Sequence, residues 1–325
     1  MQTAPSYGFS STAIAAATGP TDNERKLATL STRSTNELTV ETSDGRSLTV
    51  YDAGDPDGRP ILFHHGTPSS GKPFDPHVAL AQERGIRLVS YDRAGYGDST
   101  RNAGRSVTDV AQDVEAIADT LGLERFATWG LSGGGPHALA TAAGFADRVV
   151  AVATAASVAP PDRPGLELTD GMGEGNIVEF GLAREGEEAL RPLLERERAG
   201  IDDADVPGFI AGMRTVLSDL DAATLDGEFG EYLLAGVRSS LTQGVDGWLD
   251  DDLAFVKPWG FDLAAIAPPV LVIQGRQDLM VPWDHGEWLA GNIPAAESWL
   301  REDEGHLTLL ARLAPAIQDW LLARY

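Results

Sequence analysis

Three short runs, Pro60–Phe63, Ile86–Ser90 and Phe126–Trp129, are apolar without alternating, and this most narrows what the chain can fold into. Successive side chains of a strand point to opposite faces, so a strand apolar on neighbouring residues has to be covered on both. Helical stretches separate the runs, which predicts a parallel sheet between two layers of helix. Between the second and third, Ser106 and Asp109 supply a capping-box-like start. Val110, Val114, Ile117 and Leu121 then line one helix face until Gly122 stops it.

Further strands are expected at Val149–Thr154 and Pro269–Gln274, and a last one near Glu297–Leu300. A closing helix follows through Leu307, Leu310, Ala311 and Leu321. Ahead of them, Glu37–Thr42 and Ser47–Tyr51 alternate around Ser43–Arg46 and read as a hairpin. The stretch 161–262 has helical patterns but no convincing strand, and reads as a helical cap inserted between strands of one sheet. The core is then 37–160 and 263–325, and residues 1–36, rich in Ser, Thr and Ala, form an N-terminal arm.

The chain has 49 acids against 25 bases, a net charge of −24. That balance repels phosphate, so nucleic acid and anionic membranes are poor partners and a small-molecule substrate is expected. Oligomeric state is left open. With no cysteine there is no disulfide, thiol nucleophile or Cys-type metal site. No apolar run approaches the roughly 20 residues of a membrane span. The alanines of 13–17 follow no positive charge and make a poor signal peptide, so a soluble cytoplasmic protein is expected.

The chemistry centres on Gly130-Leu-Ser-Gly-Gly134, a G-x-S-x-G sequence directly after a strand and before a helix. The turn is sharp, so the flanking positions must be small, and the Ser132 hydroxyl stands at the carboxyl end of the sheet. A serine nucleophile needs a base, itself oriented by a carboxylate. Of six histidines, His306 opens the final helix; Asp278 lies in the loop leaving the preceding strand, on the same sheet edge as Ser132. Asp162 is an alternative acid, and His285, seven residues past Asp278, an alternative base expected at the surface. His64, His77 and His137 read as packing or surface residues.

Four features in order, His65-Gly66-Thr67-Pro68, Asp92–Ser99, the Ser132 turn and the Asp278/His306 pair, resemble the α/β-hydrolase superfamily over about residues 38–160 and 263–325. The resemblance implies the α/β-hydrolase fold, an oxyanion hole from the backbone N–H groups of Thr67 and Gly133, and a loop-shaping role for His65 and Gly66. It also implies a structural loop at Asp92–Ser99. No cofactor or metal is implied. A serine nucleophile argues against the epoxide hydrolases and haloalkane dehalogenases of the superfamily, whose nucleophile is a carboxylate.

The reading is a serine carboxylesterase acting on a small or medium apolar ester through an acyl-enzyme. The same triad could act on an amide, a peptide N-terminus or a C–C bond, or in cofactor-free perhydrolysis. A non-catalytic ligand-binding protein is the alternative of another class. In the cap, Trp248, Phe255, Trp259 and Phe261 are expected to pack it onto the body, the alternative being that they line an acyl or aryl pocket over Ser132, and Gly171–Gly175 is expected to be a flexible turn. Asp250-Asp251-Asp252 is expected to be a solvated charge run. The cap holds 23 acids and 8 bases, which concentrates the negative charge over the expected entrance. Steering of a cationic substrate, salt adaptation and a solvated surface from codon bias are the three accounts of it.

Overall fold

The expected apolar runs become the middle of one eight-stranded sheet in a computed structural model that describes residues 35–161, 163–165 and 167–325. The N-terminal arm, with its alanine run, lies outside the described residues up to residue 34, as does Asp162. The strands are β1 (Asn36–Glu41), β2 (Ser47–Gly54), β3 (Arg59–His64), β4 (Ile86–Tyr91), β5 (Phe126–Leu131), β6 (Val149–Ala155), β7 (Val270–Gly275) and β8 (Glu297–Arg301). Their order across the sheet is β1-β2-β4-β3-β5-β6-β7-β8. The β1–β2 hairpin and the β2–β4 pair are antiparallel, and every other pairing is parallel.

Every residue of β5, β6 and β7 is buried, as non-alternating strands covered on both faces require. Burying one Val, Leu or Phe side chain contributes about 1.5–3 kcal/mol, so these strands anchor the loops that leave them. The helices of the body are α1 (Asp75–Glu83), α2 (Val110–Thr120) and α3 (Gly134–Gly144). Ser106 and Asp109 form the expected capping box, but the first turn, Val107–Asp109, is a 3₁₀ turn before α2 begins. Gly122, at φ +66°, ends that helix in the left-handed conformation that suits glycine.

Between β6 and β7 the chain makes six helices among the described residues: α4 (Glu174–Glu185), α5 (Glu187–Asp203), α6 (Val206–Gly212), α7 (Asp219–Thr224), α8 (Glu228–Ser240) and α9 (Asp246–Phe255). α10 (Trp283–Asn292) and α11 (Leu307–Leu322) complete the fold around β8. No described helix is long and apolar enough to cross a membrane.

The Gly171–Gly175 turn is packed where a flexible turn was expected. Gly173 donates to the Leu279 carbonyl at 2.7 Å, and a Cβ there would overlap the Thr215 carbonyl. The four aromatics divide between two tasks. Trp259 stacks on Phe261 with ring centres 6.0 Å apart and joins the core of the body, as does Phe255, which together with Trp248 also lines a cavity.

Candidate active site

Ser132 sits between β5 and α3 with φ +54°, an uncommon conformation for a residue with a side chain. Ser132 N donates to the Ala155 carbonyl at 2.8 Å, and its own carbonyl accepts from Gly135 N at 2.9 Å, which pins the turn. Both flanking glycines are sterically required. A Cβ on Gly130 would overlap the Gly134 carbonyl, and one on Gly134 would overlap the His64 carbonyl. The G-x-S-x-G spacing is therefore the price of folding β5 back into a helix within three residues.

Asp278, after β7, receives four donors. Oδ1 accepts from Met280 N at 2.9 Å and Val281 N at 2.8 Å; Oδ2 accepts from Gln274 Nε2 at 3.1 Å and His306 Nδ1 at 2.8 Å. A carboxylate only accepts, so His306 carries its proton on Nδ1 and leaves Nε2 as the basic nitrogen. Burial alone would lower the His306 pKa, but the charge and hydrogen bond of Asp278, with the charge of Asp221, raise it above the ordinary histidine value. Ser132 and His306 line one cavity of roughly 730 Å³, although their side chains are not hydrogen-bonded to each other.

Asp221 was not singled out in the sequence. Buried on α7, it accepts the backbone N–H groups of His306 (2.9 Å), Leu307 (2.7 Å) and Thr308 (3.3 Å), the free donors at the start of α11. Ser218 Oγ donates to it at 2.7 Å, and Gly305 gives the approach its room, since a Cβ there would strike the Asp221 carboxyl. One helix of the insert thus holds the loop that carries His306. The only signal in the sequence is Ser218 three residues before Asp221, which marks a helix start and does not reveal which helix it serves.

Thr67 and Gly133 approach so closely that a Cβ on Gly133 would overlap Thr67 Oγ1. Among the described residues neither backbone N–H of this pair has an acceptor, and both residues line the cavity beside Ser132. His65 turns away from the cavity chemistry to brace the loop: Nδ1 donates to the Gly66 carbonyl at 2.7 Å, and Nε2 accepts from Arg93 N at 3.1 Å. Burial, then the charge of Arg93, pushes its pKa well below the ordinary value.

The expected solvated run Asp250–Asp252 is buried, with 1%, 0% and 1% of each residue exposed. The reason is that α9 is wedged between the other insert helices and the body, where Asp250 and Asp251 find partners. Asp250 accepts from Arg101 Nε at 2.7 Å. Asp251 is the hub: it accepts from Arg93 Nη2 (2.6 Å), Arg105 Nη1 (2.6 Å), Tyr96 OH (2.8 Å), Thr67 Oγ1 (2.7 Å) and His137 Nε2 (3.2 Å). Burial opposes its ionisation, but Arg105 and Arg93 hold its pKa well below the carboxylate range. Arg93 also donates to the carbonyls of His65 and Gly66, so one buried ion-pair cluster fixes the loop that ends at Thr67.

The Asp92–Ser99 loop matches its expected structural role. Asp92 accepts from Gly71 N at 2.6 Å and Tyr51 OH at 3.0 Å, and Ser99 Oγ donates to the Asp92 carbonyl at 2.7 Å. His285 is buried in α10, where a surface position was expected; its Nδ1 accepts from Ala159 N at 3.0 Å and its Nε2 donates to the Leu168 carbonyl. Burial pushes its pKa down to about 3. His64 packs between Tyr91 and Thr141, His137 sits under Asp251, and His77 stacks edge-on against Phe74. Among the described residues no three His, Asp or Glu side chains converge as a metal-ligand set.

A family model described as the alpha/beta hydrolase fold matches residues 59–183. A non-heme chloroperoxidase of Streptomyces lividans is 28% identical, the alignment covering 75% of this chain and 83% of the relative. A bifunctional esterase/perhydrolase of Acinetobacter calcoaceticus is 27% identical over the same shares, 75% and 83%. Among solved structures, a thermophilic esterase from Thermogutta terrifontis superposes with a TM-score of 0.63 at 24% identity, covering 89% of this chain and 98% of that one. A bromoperoxidase from Bacillus anthracis gives 0.65 at 21% identity, covering 88% and 99%.

Proposed function

Because the chain belongs to the α/β-hydrolase superfamily, we propose that it is a serine hydrolase cleaving small or medium, largely apolar carboxylic esters. Ser132 Oγ attacks the ester carbonyl while His306 Nε2 takes its proton. Asp278 keeps the imidazole in that tautomer and balances the imidazolium that forms. The tetrahedral oxyanion accepts from the Thr67 and Gly133 N–H groups, each donor of this kind contributing about 10²–10³ in rate. Collapse breaks the C–O bond, His306 returns the proton to the departing alcohol, and water repeats the sequence on the acyl-enzyme.

The observation that carries this reading is that strained Ser132 and the Asp278-bound His306 open into one cavity. Apolar side chains such as Phe255, Val158 and Leu310 on its walls suit an apolar acyl or alkyl group. Hydrolysis of p-nitrophenyl esters by wild type and Ser132→Ala tests it. A loss of about 10⁴-fold or more is expected, and equal rates overturn it. The names of the relatives favour adding hydrogen peroxide as a competing acceptor, which would convert the same acyl-enzyme to a peracid.

Asp221 is a positioning residue in this scheme. Asp221→Ala leaves three backbone donors unpaired at the base of His306. A misplaced base costs on the order of 10²-fold, so kcat is expected to fall by about that much with KM little changed. Asp221→Asn, which keeps an acceptor oxygen, is expected to recover part of the loss. Equal kcat in wild type and Asp221→Ala would remove the role.

A further inference from the structure

One wall of the cavity carries a carboxyl pair that the triad does not use. Glu179 projects from α4 and Asp252 from α9, and their carboxyl groups are within hydrogen-bonding reach of each other. Trp248, one turn before Asp252 on α9, donates its indole N–H to Glu179 at 2.7 Å. That is the single protein donor for four carboxyl oxygens among the described residues. The Asp252 side chain, 99% removed from solvent with 1% exposure, accepts from no N–H or O–H group, and its Oδ2 is fully buried.

This shortage is local. Asp278 has four donors and Asp251 five partner groups, so the fold supplies carboxylates generously elsewhere. Buried acceptors without donors are costly, and native proteins keep few of them. The charged residues lining the cavity are Glu174, Glu179, Glu197 and Asp252, with no Lys or Arg.

We propose that Glu179 and Asp252 form a recognition site for a primary ammonium group, so that the preferred substrates are apolar esters bearing an amine. An ammonium brings three N–H donors and one positive charge, which answers both deficits. A hydroxyl would bring one donor and no charge. Without ligand, burial raises the pKa of both groups, joined at Asp252 by the charge of Glu179 and at Glu179 by the charge of Glu197, and the pair holds a shared proton. Binding an ammonium replaces that proton: R–NH₃⁺ enters, H⁺ leaves, and the charge of the site is unchanged. The substrate assignment rests on the serine hydrolase reading, while the binding site stands independently of it.

Calorimetric titration with n-hexylammonium chloride and with hexan-1-ol, in two buffers of different ionisation enthalpy, tests the site. The ammonium is expected to bind at least tenfold more tightly than the alcohol, with release of up to one proton. Asp252→Asn and Glu179→Gln are each expected to reduce that preference by tenfold or more. Equal binding of the two ligands by wild type overturns the proposal, as does an unchanged preference in both variants. Should either variant fail to fold, the wild-type comparison and its proton count still decide. A parallel labelling of Ser132 with a fluorophosphonate separates the two readings. Absent labelling with intact ammonium preference removes the hydrolase and leaves the site; normal labelling without preference removes the site and leaves the hydrolase.

Discussion

Asp278→Asn is expected to lower kcat by about 10⁴-fold, because the amide no longer holds His306 in the Nδ1-protonated tautomer. It should also move the pH profile. In the wild type His306 titrates above the ordinary histidine value near 6.5, so activity falls as pH drops through a limb lying above that value. With the carboxylate gone, burial dominates and the limb moves to lower pH. The same shift has the opposite sign for stability: the protonated imidazole is favoured in the fold. Its stabilisation is therefore fully present below about pH 6.5 and is lost as pH rises through the folded-state value. Rate–pH profiles of the residual activity and urea titrations across pH 5–9 check both. A limb at the same pH in wild type and variant would remove Asp278 from its role.

The second large effect is on folding. Asp251→Ala leaves Arg93 and Arg105 buried without a counter-charge, a loss of about 3–5 kcal/mol, measurable as a lower midpoint in urea. The variant's loss of activity should exceed its loss of folded protein, since Arg93 and Thr67 are held by the same carboxylate. Asp250→Ala, which removes the pairing with the partly exposed Arg101 and a long hydrogen bond from Gly104 N, should cost less, because Arg101 keeps Asp246 and Glu187 as counter-charges. Equal stability of Asp251→Ala and wild type would show that the cluster is not a structural tie.

The contrast between these residues explains what was legible in the sequence. The sheet could be read because β3–β7 are apolar on consecutive residues, a pattern set by burial alone. Ser132 could be read because Gly130 and Gly134 are forced by local overlap, and His306 and Asp278 because each follows a strand on the same sheet edge. The partners of Asp251 could not. Arg93, Arg105 and His137 lie more than a hundred residues earlier in the chain, and three consecutive acids carry no period that marks them as interior. Asp221 was hidden for the same reason, since a helix cap is a local signal and its use at the start of α11 is a tertiary fact. His285 was misread because its buried partners, Ala159 N and the Leu168 carbonyl, are backbone groups that leave no trace in the sequence.

The charge of the insert also changes meaning. Several of its acids point inward, at Asp221, Asp250, Asp251 and Asp252, and serve the loops around Ser132 or the wall of the cavity.

The central claim is that Ser132 is the nucleophile, and intact-mass analysis after incubation with a fluorophosphonate tests it most directly. One adduct per chain, mapped to the peptide containing Ser132 and absent from Ser132→Ala, is the expected result. An unmodified wild type, or the same adduct in Ser132→Ala, contradicts it.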